Sequence, residues 1–377
     1  MWNNNTSEIE EYITNATSSQ KGVNTDRVIG LMFSFTAISC LATLLFNSLI
    51  ILVFLRYRHV RTAFNMYVAN LCILEFSLAI TSMPGNLIRE YYGYWPWNDF
   101  LCGAFLYCDV IFSAAVRYGH VLIAINRLWA VTFPVAYKER HTKKLAVILI
   151  AGSFAFVNIL NLPVIIRGRV WKDPYDIECL VNTSVQYYSA LFVEIFSFTI
   201  TEVMVLLPCP FIFWKLHKKR LRPSESGVNL NPLDFVCATN SFPDPPVAAC
   251  RKRRSVSISL ELDHEIRVYR ITAESKRRKL SSMIRAKHAR TSSHNRILLY
   301  LVLTVIVFWT PNHVYWIMVY TTKYWNAVFF AVQQFCILTN AWVNPLLFYV
   351  GLGKLRAAIN DLVKAAFYKC LCCSKGD

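Results

Sequence analysis

The sequence predicts an all-α membrane protein, a seven-transmembrane helix bundle with a short amphipathic C-terminal helix. Three observations lead there. Of 377 residues, 55% are hydrophobic and the mean hydropathy is +0.35. The apolar residues come in long blocks rather than in short alternating runs. The basic residues, which give a net charge of +17, cluster in the links between those blocks.

Residues 1–27 are polar and somewhat acidic, without an apolar signal-peptide core. They carry N-x-S/T sequons at Asn4, Asn5 and Asn15, and a further one stands at Asn182, so glycosylation and an extracellular N-terminal tail are expected. Seven apolar blocks follow, near Val28–Leu55, Ala63–Arg89, Leu101–Phe133, Lys144–Ile166, Val185–Leu216, Arg296–Thr321 and Trp325–Val350. Each is long enough to cross about 30 Å of hydrocarbon at about 1.5 Å per residue. Backbone groups in lipid must be satisfied internally, so the blocks are read as helices.

Orientation comes from the links. The first holds Arg56, Arg58, His59 and Arg61; the third holds Lys138, Arg140, Lys143 and Lys144; the fifth, 218–295, holds Arg251-Lys252-Arg253-Arg254 and Arg277-Arg278-Lys279. The alternate links are less basic and more aromatic, as in Tyr91-Tyr92-Gly93-Tyr94-Trp95-Pro96-Trp97. The positive-inside rule then puts the N-terminus outside and the C-terminus inside. The fifth link mixes Pro, Ser and charge, and Ser255, Ser257 and Ser281 follow basic residues as basophilic kinases require.

Residues 28–350 thus form the bundle and residues 351–377 the amphipathic helix and cytoplasmic tail. In Lys354–Tyr368, Leu355, Ile359, Leu362, Val363 and Phe367 form one apolar stripe, suited to lying along the inner bilayer surface. Cys370, Cys372 and Cys373 sit where S-palmitoylation would pin the end of that helix.

Nucleic-acid binding is a poor explanation of the charge, because no basic groove interleaved with aromatic residues appears; cytoplasmic links and anionic lipid explain it better. Cys40, Cys72, Cys108, Cys209 and Cys336 lie inside apolar blocks and read as packing residues. No cysteine pair has metal-site spacing, and no metal or other cofactor is expected. No HExxH, nucleophile elbow or phosphate loop appears, so an enzyme is not expected.

The third block carries chemistry at both ends. Asp109 and Arg127 are eighteen residues apart, five turns of helix, and so share a face about 27 Å apart. Ser113, Val116 and His120 fall near that face. Cys102, at the outer start, and Cys179, in the second outer link, both face the oxidising side, so a disulfide between them is expected. Asp109 is an ionisable group at membrane depth, which by default marks a site. It reads as a counter-ion for a cationic ligand, or as a hydrogen-bonded structural acid beside Tyr107, Cys108 or a polar neighbour.

Asn47, Glu75, Asn340 and Asn344 are polar groups within spans, suited to surrounding water or a sodium ion. Arg117 needs a partner, for which Glu75 and Glu202 are the candidates; a structural ion pair is preferred over an ion path. A transporter or channel built on Glu75, Arg117 and Glu202 is the other class to weigh, but the odd number of spans and the lack of visible inverted repeats count against it. Pro84, Pro163, Pro208, Pro210, Pro311 and Pro345 interrupt spans and permit bends.

Taken in order, these motifs resemble the rhodopsin-like (class A) G-protein-coupled receptors over the whole chain. Asn47 matches the helix-one asparagine, and Asn70-Leu71-Cys72-Ile73-Leu74-Glu75 resembles the helix-two motif with Glu75 in place of an aspartate. Trp95, Cys102 and Cys179 match the outer-loop and disulfide positions. Asn126-Arg127-Leu128 stands where Asp-Arg-Tyr is typical, with Pro134 and Tyr137 in register. Phe308-Trp309-Thr310-Pro311 resembles the helix-six motif, and Asn344-Pro345-Leu346-Leu347-Phe348 the helix-seven motif.

The resemblance implies an extracellular ligand, a heterotrimeric G protein, and arrestin and kinases as further partners, at the plasma membrane. It is nearest in pattern to the biogenic-amine group, where the position of Asp109 holds the ammonium. It also implies a pocket drawing on Ser113, Trp309, Asn312, His313, Trp316 and Gln334, coupling through Asn126, Arg127, Leu128, Pro134 and Tyr137, and a polar switch running through Asn47, Glu75, Arg117, Trp309, Pro311, Asn340, Asn344 and Pro345. The departures are specific. Asn312 and His313 replace aromatic residues, Leu338 replaces a tyrosine, and no serine pair lies near 200–204, so a peptide or another non-amine ligand stays open. No lysine lies in the seventh block to carry retinal. Asn126 lacks the acid that restrains the family's arginine, and Thr291 stands where a second restraining acid is usual, which implies raised basal signalling. Helix four lacks its usual tryptophan, and Val305 replaces a helix-six aromatic.

Overall fold

The computed structural model describes residues 25–170, 179, 187–208, 210–212, 214–215, 300, 302–322 and 326–373. The sequons at Asn4, Asn5, Asn15 and Asn182, the long basic link and Thr291 lie outside the described residues, as do the side chains of Cys370, Cys372 and Cys373. The described residues up to Ile212 and from Tyr300 onward belong to one compact unit.

The first span is Thr25–Arg56. The second comes in two pieces, Ala63–Ile80 and Ser82–Tyr92. Proline has no N–H to give the carbonyl four residues before it, and Pro84 stands four residues after Ile80, where the helix breaks. Thr62 caps the second span by accepting from the Asn65 N–H at 3.2 Å. Gly93 ends it with φ +70°, a left-handed conformation that glycine adopts at no steric cost.

The third span, Asp99–Thr132, is continuous for 34 residues and is capped by Asn98, which accepts from the Leu101 N–H at 3.0 Å. A short helix, Pro134–Arg140, follows it, with proline at its first position. The fourth span is Lys143–Val170, with Pro163 inside it.

The fifth span contains a π turn, Glu194–Thr199, between the α-helical pieces Tyr187–Val193 and Ile200–Leu206. The sixth contains another, Val305–Trp309, which runs straight into Thr310–Thr322. The missing N–H of Pro311 frees the carbonyl of residue 307, inside that π turn. The seventh span is Ala327–Gly351, and Gly353–Cys373 leaves it at an angle of 103°. Six of these helices are long and apolar enough to cross a membrane, seven when the bent pair is taken as one span.

One large core joins the first four spans and the seventh to the amphipathic helix through residues such as Ile50, Val53, Tyr67, Leu71, Ile111, Ile123 and Phe348. The stripe expected on the last helix divides in two. Leu355 and Ile359 are buried against the bundle with Ala358, and Leu362 packs beside them. Val363 and Phe367 remain exposed, free to meet lipid. Gly85, in the second span, leaves room for the third, since a Cβ there would collide with the ring of Phe105.

Candidate functional site in the polar axis of the bundle

At the end of the third span, Cys102 is bonded to Cys179, with their Cα atoms 5.8 Å apart. Arg169, at the end of the fourth span, pairs with Asp99 at 3.1 Å and donates to Cys102 Sγ at 3.0 Å. Asp109 lies about 15 Å further along the rod from Asp99. Its Oδ1 accepts a hydrogen bond from Ser82 Oγ; Asn86 Nδ2 donates to that hydroxyl at 3.4 Å, and Arg89 Nη2 donates to Asn86 Oδ1 at 3.0 Å. Asp109 is therefore held by the second span through Ser82 rather than by Tyr107, whose hydroxyl donates to Asn158 at 2.8 Å. Ser113, Trp316 and Gln334 are half-buried.

Deeper in, Arg117 is buried, and the candidate pairing with Glu75 does not form. Its Nη2 donates to Asn312 Oδ1 at 2.9 Å, and Asn312 Nδ2 donates to Gln333 Oε1 at 2.6 Å. Among the described residues it has no carboxylate within salt-bridge distance; Glu194 and Glu202 act on it through space instead. Its guanidinium also stacks over Phe198 and Trp309, 4.6 and 4.8 Å from the ring centroids. Glu202 accepts from Thr310 Oγ1 at 2.7 Å, while His313 Nδ1 lies 3.7 Å from Glu194 Oε1. Thr310, Asn312 and His313 are neighbours beside Pro311, so one turn of the sixth span gathers polar groups from the third, fifth and seventh.

Sequence reasoning named Gln334 and passed over Gln333, which is fully buried and makes the bond. It also passed over Glu194, although an acid inside an apolar block is the signal that singled out Glu202.

Glu75 is tied to the seventh span, where Asn344 Nδ2 donates to it at 3.3 Å. Asn47 Nδ2 donates to the Ala341 carbonyl at 3.2 Å. The buried amide oxygens of Asn47, Asn340 and Asn344 have no hydrogen-bond donor. His120 donates through Nδ1 to the Val116 carbonyl at 2.9 Å, with its ring edge-on to Trp309 at 4.7 Å.

At the far end, Asn126 and Arg127 are both buried. Tyr137 donates to Asn126 Oδ1 at 3.0 Å, and Asn126 Nδ2 donates to His141 Nε2 at 2.8 Å. The rings of Tyr137 and His141 stack at 4.5 Å, and Trp129 meets both edge-on. Arg127 lies over the Phe64 ring, 3.2 Å from its centroid, and its Nε and Nη2 have no hydrogen-bond partner. Leu128 is half-buried and Pro134 exposed.

Among the described residues, apolar helices packed around buried polar side chains, with the Cys102–Cys179 disulfide at one end, form the frame of a multi-pass membrane protein. The chain belongs to the 7 transmembrane receptor (rhodopsin family), whose model matches residues 46–348. It is a class A G-protein-coupled receptor and not an enzyme.

Similar proteins include tyramine receptor 1 of Locusta migratoria, 26% identical over 198 residues, which are 51% of this chain and 39% of that receptor. An octopamine receptor of Heliothis virescens is 23% identical over 51% of this chain and 40% of its own length. The 5-hydroxytryptamine receptor 1B of Equus caballus is 22% identical over 90% of this chain and 87% of its own length. The chain thus spans about two-fifths of the tyramine and octopamine receptors that it matches.

Proposed function

We propose that this chain is a plasma-membrane receptor, its N-terminus outside, that binds an extracellular protonated amine and activates a heterotrimeric G protein. The observation that carries the reading is the third span. One unbroken helix presents Asp109 near the disulfide end and Arg127 near the opposite end, about 27 Å away. The similarity to receptors named for tyramine, octopamine and 5-hydroxytryptamine supports an amine. Ligand binding shifts the population toward a state whose inner face admits the G protein. Asn126, Arg127, Leu128, Pro134 and Tyr137 form the coupling end; arrestin and kinases are its further partners, acting with the basic link and tail. Palmitoylation at Cys370, Cys372 and Cys373 adds a second membrane anchor to the amphipathic helix.

Raised basal signalling belongs to the same reading. Arg127 has an aromatic neighbour where the family's arginine has an acid, and Asn126 is occupied by Tyr137 and His141. The test is an amine panel on cells expressing wild type and D109N. The reading expects an amine that raises second-messenger output in wild type and loses at least about tenfold in potency in D109N, as the loss of a charge-assisted hydrogen bond implies. Equal potency on both would remove Asp109 from the binding role. A peptide ligand is the second reading, favoured by polar Asn312 and His313 where an amine cage has aromatic residues; a peptide that acts when no amine does would establish it.

A further inference from the structure

Two π turns face the same polar cluster, Glu194–Thr199 in the fifth span and Val305–Trp309 in the sixth. Single-turn π segments of this kind recur at functional sites because they rotate a side chain out of helical register. Glu194 is the first residue of the fifth-span turn. Its side chain is nine-tenths buried, yet Oε1 has no hydrogen-bond partner among the described residues. His313 Nδ1, the nearest cation-capable group, lies 3.7 Å away, too far for a hydrogen bond, and is itself unsatisfied. Gln333 Nε2, Arg117 Nη1 and Glu202 Oε2 are unsatisfied as well. A buried polar atom without a partner is costly, and four elements converging on one such set make a site rather than a packing accident.

Charge sharpens the point. Glu194 and Glu202 face one arginine, Arg117. Glu202 also has Thr310 as a hydrogen-bond donor, whereas Glu194 has none. Two carboxyl groups thus share one guanidinium, and of the two it is Glu194 that lacks a hydrogen-bond donor among the described residues. Asp109 is in a different position, because Ser82 already donates to it and Arg89 acts on it through space.

The third span ties the cluster to Asp109. Arg117 stands eight residues after Asp109 on that helix, about 12 Å further from the disulfide end, and donates to Asn312, the neighbour of His313.

We propose that Glu194 is an ammonium-binding carboxylate, separate from Asp109, whose unpaired Oε1 takes an N–H of a protonated amine. Gln333 Nε2, on the seventh span, is the donor available to an acceptor atom of the same ligand. The inference rests on the amine-receptor reading but not on the role given to Asp109.

The experiment uses the full chain in cells, with surface expression measured for each variant, and tyramine, octopamine, dopamine and 5-hydroxytryptamine as probes. For the amine that acts on wild type, E194Q should lose about ten- to hundredfold in potency, the range for a charge-assisted hydrogen bond. E194D should recover part of that loss. If Glu194 served only to balance Arg117, the double variant R117M/E194Q would regain wild-type potency; the proposal expects it to stay impaired. Unchanged potency in E194Q at normal surface expression overturns the proposal and leaves the amine-receptor reading standing. An E194Q that does not reach the surface is replaced by E194D, for which wild-type potency with unaltered amine selectivity likewise overturns it. If none of the four amines acts on wild type, the amine reading and this inference fail together.

Discussion

Asn126 donates from Nδ2 to Nε2 of His141 across 2.8 Å, so the side chain beside Arg127 is spent on the link between the third and fourth spans. Tyr137 donates to the other end of the same amide at 3.0 Å. The unpaired Nε and Nη2 of Arg127 gain nothing from either bond. Restoring an acid is therefore the direct perturbation. In N126D the carboxylate can still accept from Tyr137 and offers Arg127 an anionic acceptor. Basal second-messenger output should fall at least about twofold at matched surface expression, a shift of about 0.4 kcal/mol in the resting equilibrium. Basal output in wild type equal to that of mock-transfected cells would contradict the premise.

The same cluster makes stability depend on pH. Nε2 of His141 faces two donors, Asn126 Nδ2 and the Tyr67 hydroxyl at 3.3 Å, so it accepts only as neutral imidazole. Burial, and then the charge of Arg127, lower the His141 pKa from its ordinary value. The unfolded chain then takes up this proton before the folded chain does. Stability from neutral His141 is complete above about pH 6.5 and is lost as pH falls below that value toward the folded pKa. The melting temperature of purified receptor should drop between about pH 7 and pH 5 in wild type and drop less in H141Q. Equal slopes would remove His141 as a source.

Arg117 offers a sharper stability test. Its guanidinium is buried among Asn312, Phe198 and Trp309, with Glu194 and Glu202 acting from a distance. R117M takes a positive charge away from two buried carboxyl groups and leaves Asn312 Oδ1 without its donor, a loss on the order of 1–3 kcal/mol. R117M/E202Q should melt higher than R117M, because one of those charges is neutralised. A double variant no more stable than the single would show that Glu202 is not electrostatically coupled to Arg117.

Gly85 is expected to tolerate nothing larger. A Cβ would strike the Phe105 ring, so G85A should cost about 1–3 kcal/mol by overpacking. F105L in the same chain should recover part of it, read as a rise in melting temperature over G85A alone. Additive losses would place the strain elsewhere.

The spans were legible because length and hydropathy report a bilayer directly. The third span gave up most of the site, since Cys102, Asp109, Arg117 and Arg127 are conspicuous in an apolar run. Partners were less legible. Arg117 had two named candidates and took neither as a salt bridge, because the contact was decided by the rotation of the fifth and sixth spans at their π turns. One-residue precision fails for the same reason: Gln333 and Gln334 differ by about 100° around a helix, and only the packing of the seventh span selects Gln333. Asn126 was read as a missing acid, which it is; its engagement with His141, fifteen residues on in a link, has no periodic signature.

The central claim is that occupancy near Asp109 is transmitted along the bundle to a G protein at Arg127. Purified full-length chain in lipid nanodiscs, mixed with heterotrimeric G proteins, should accelerate guanine-nucleotide exchange above its basal rate when an active amine is added. R127A should abolish that acceleration while leaving the amine bound. Amine binding with no change in exchange on any G protein class, or acceleration that persists in R127A, would contradict the account.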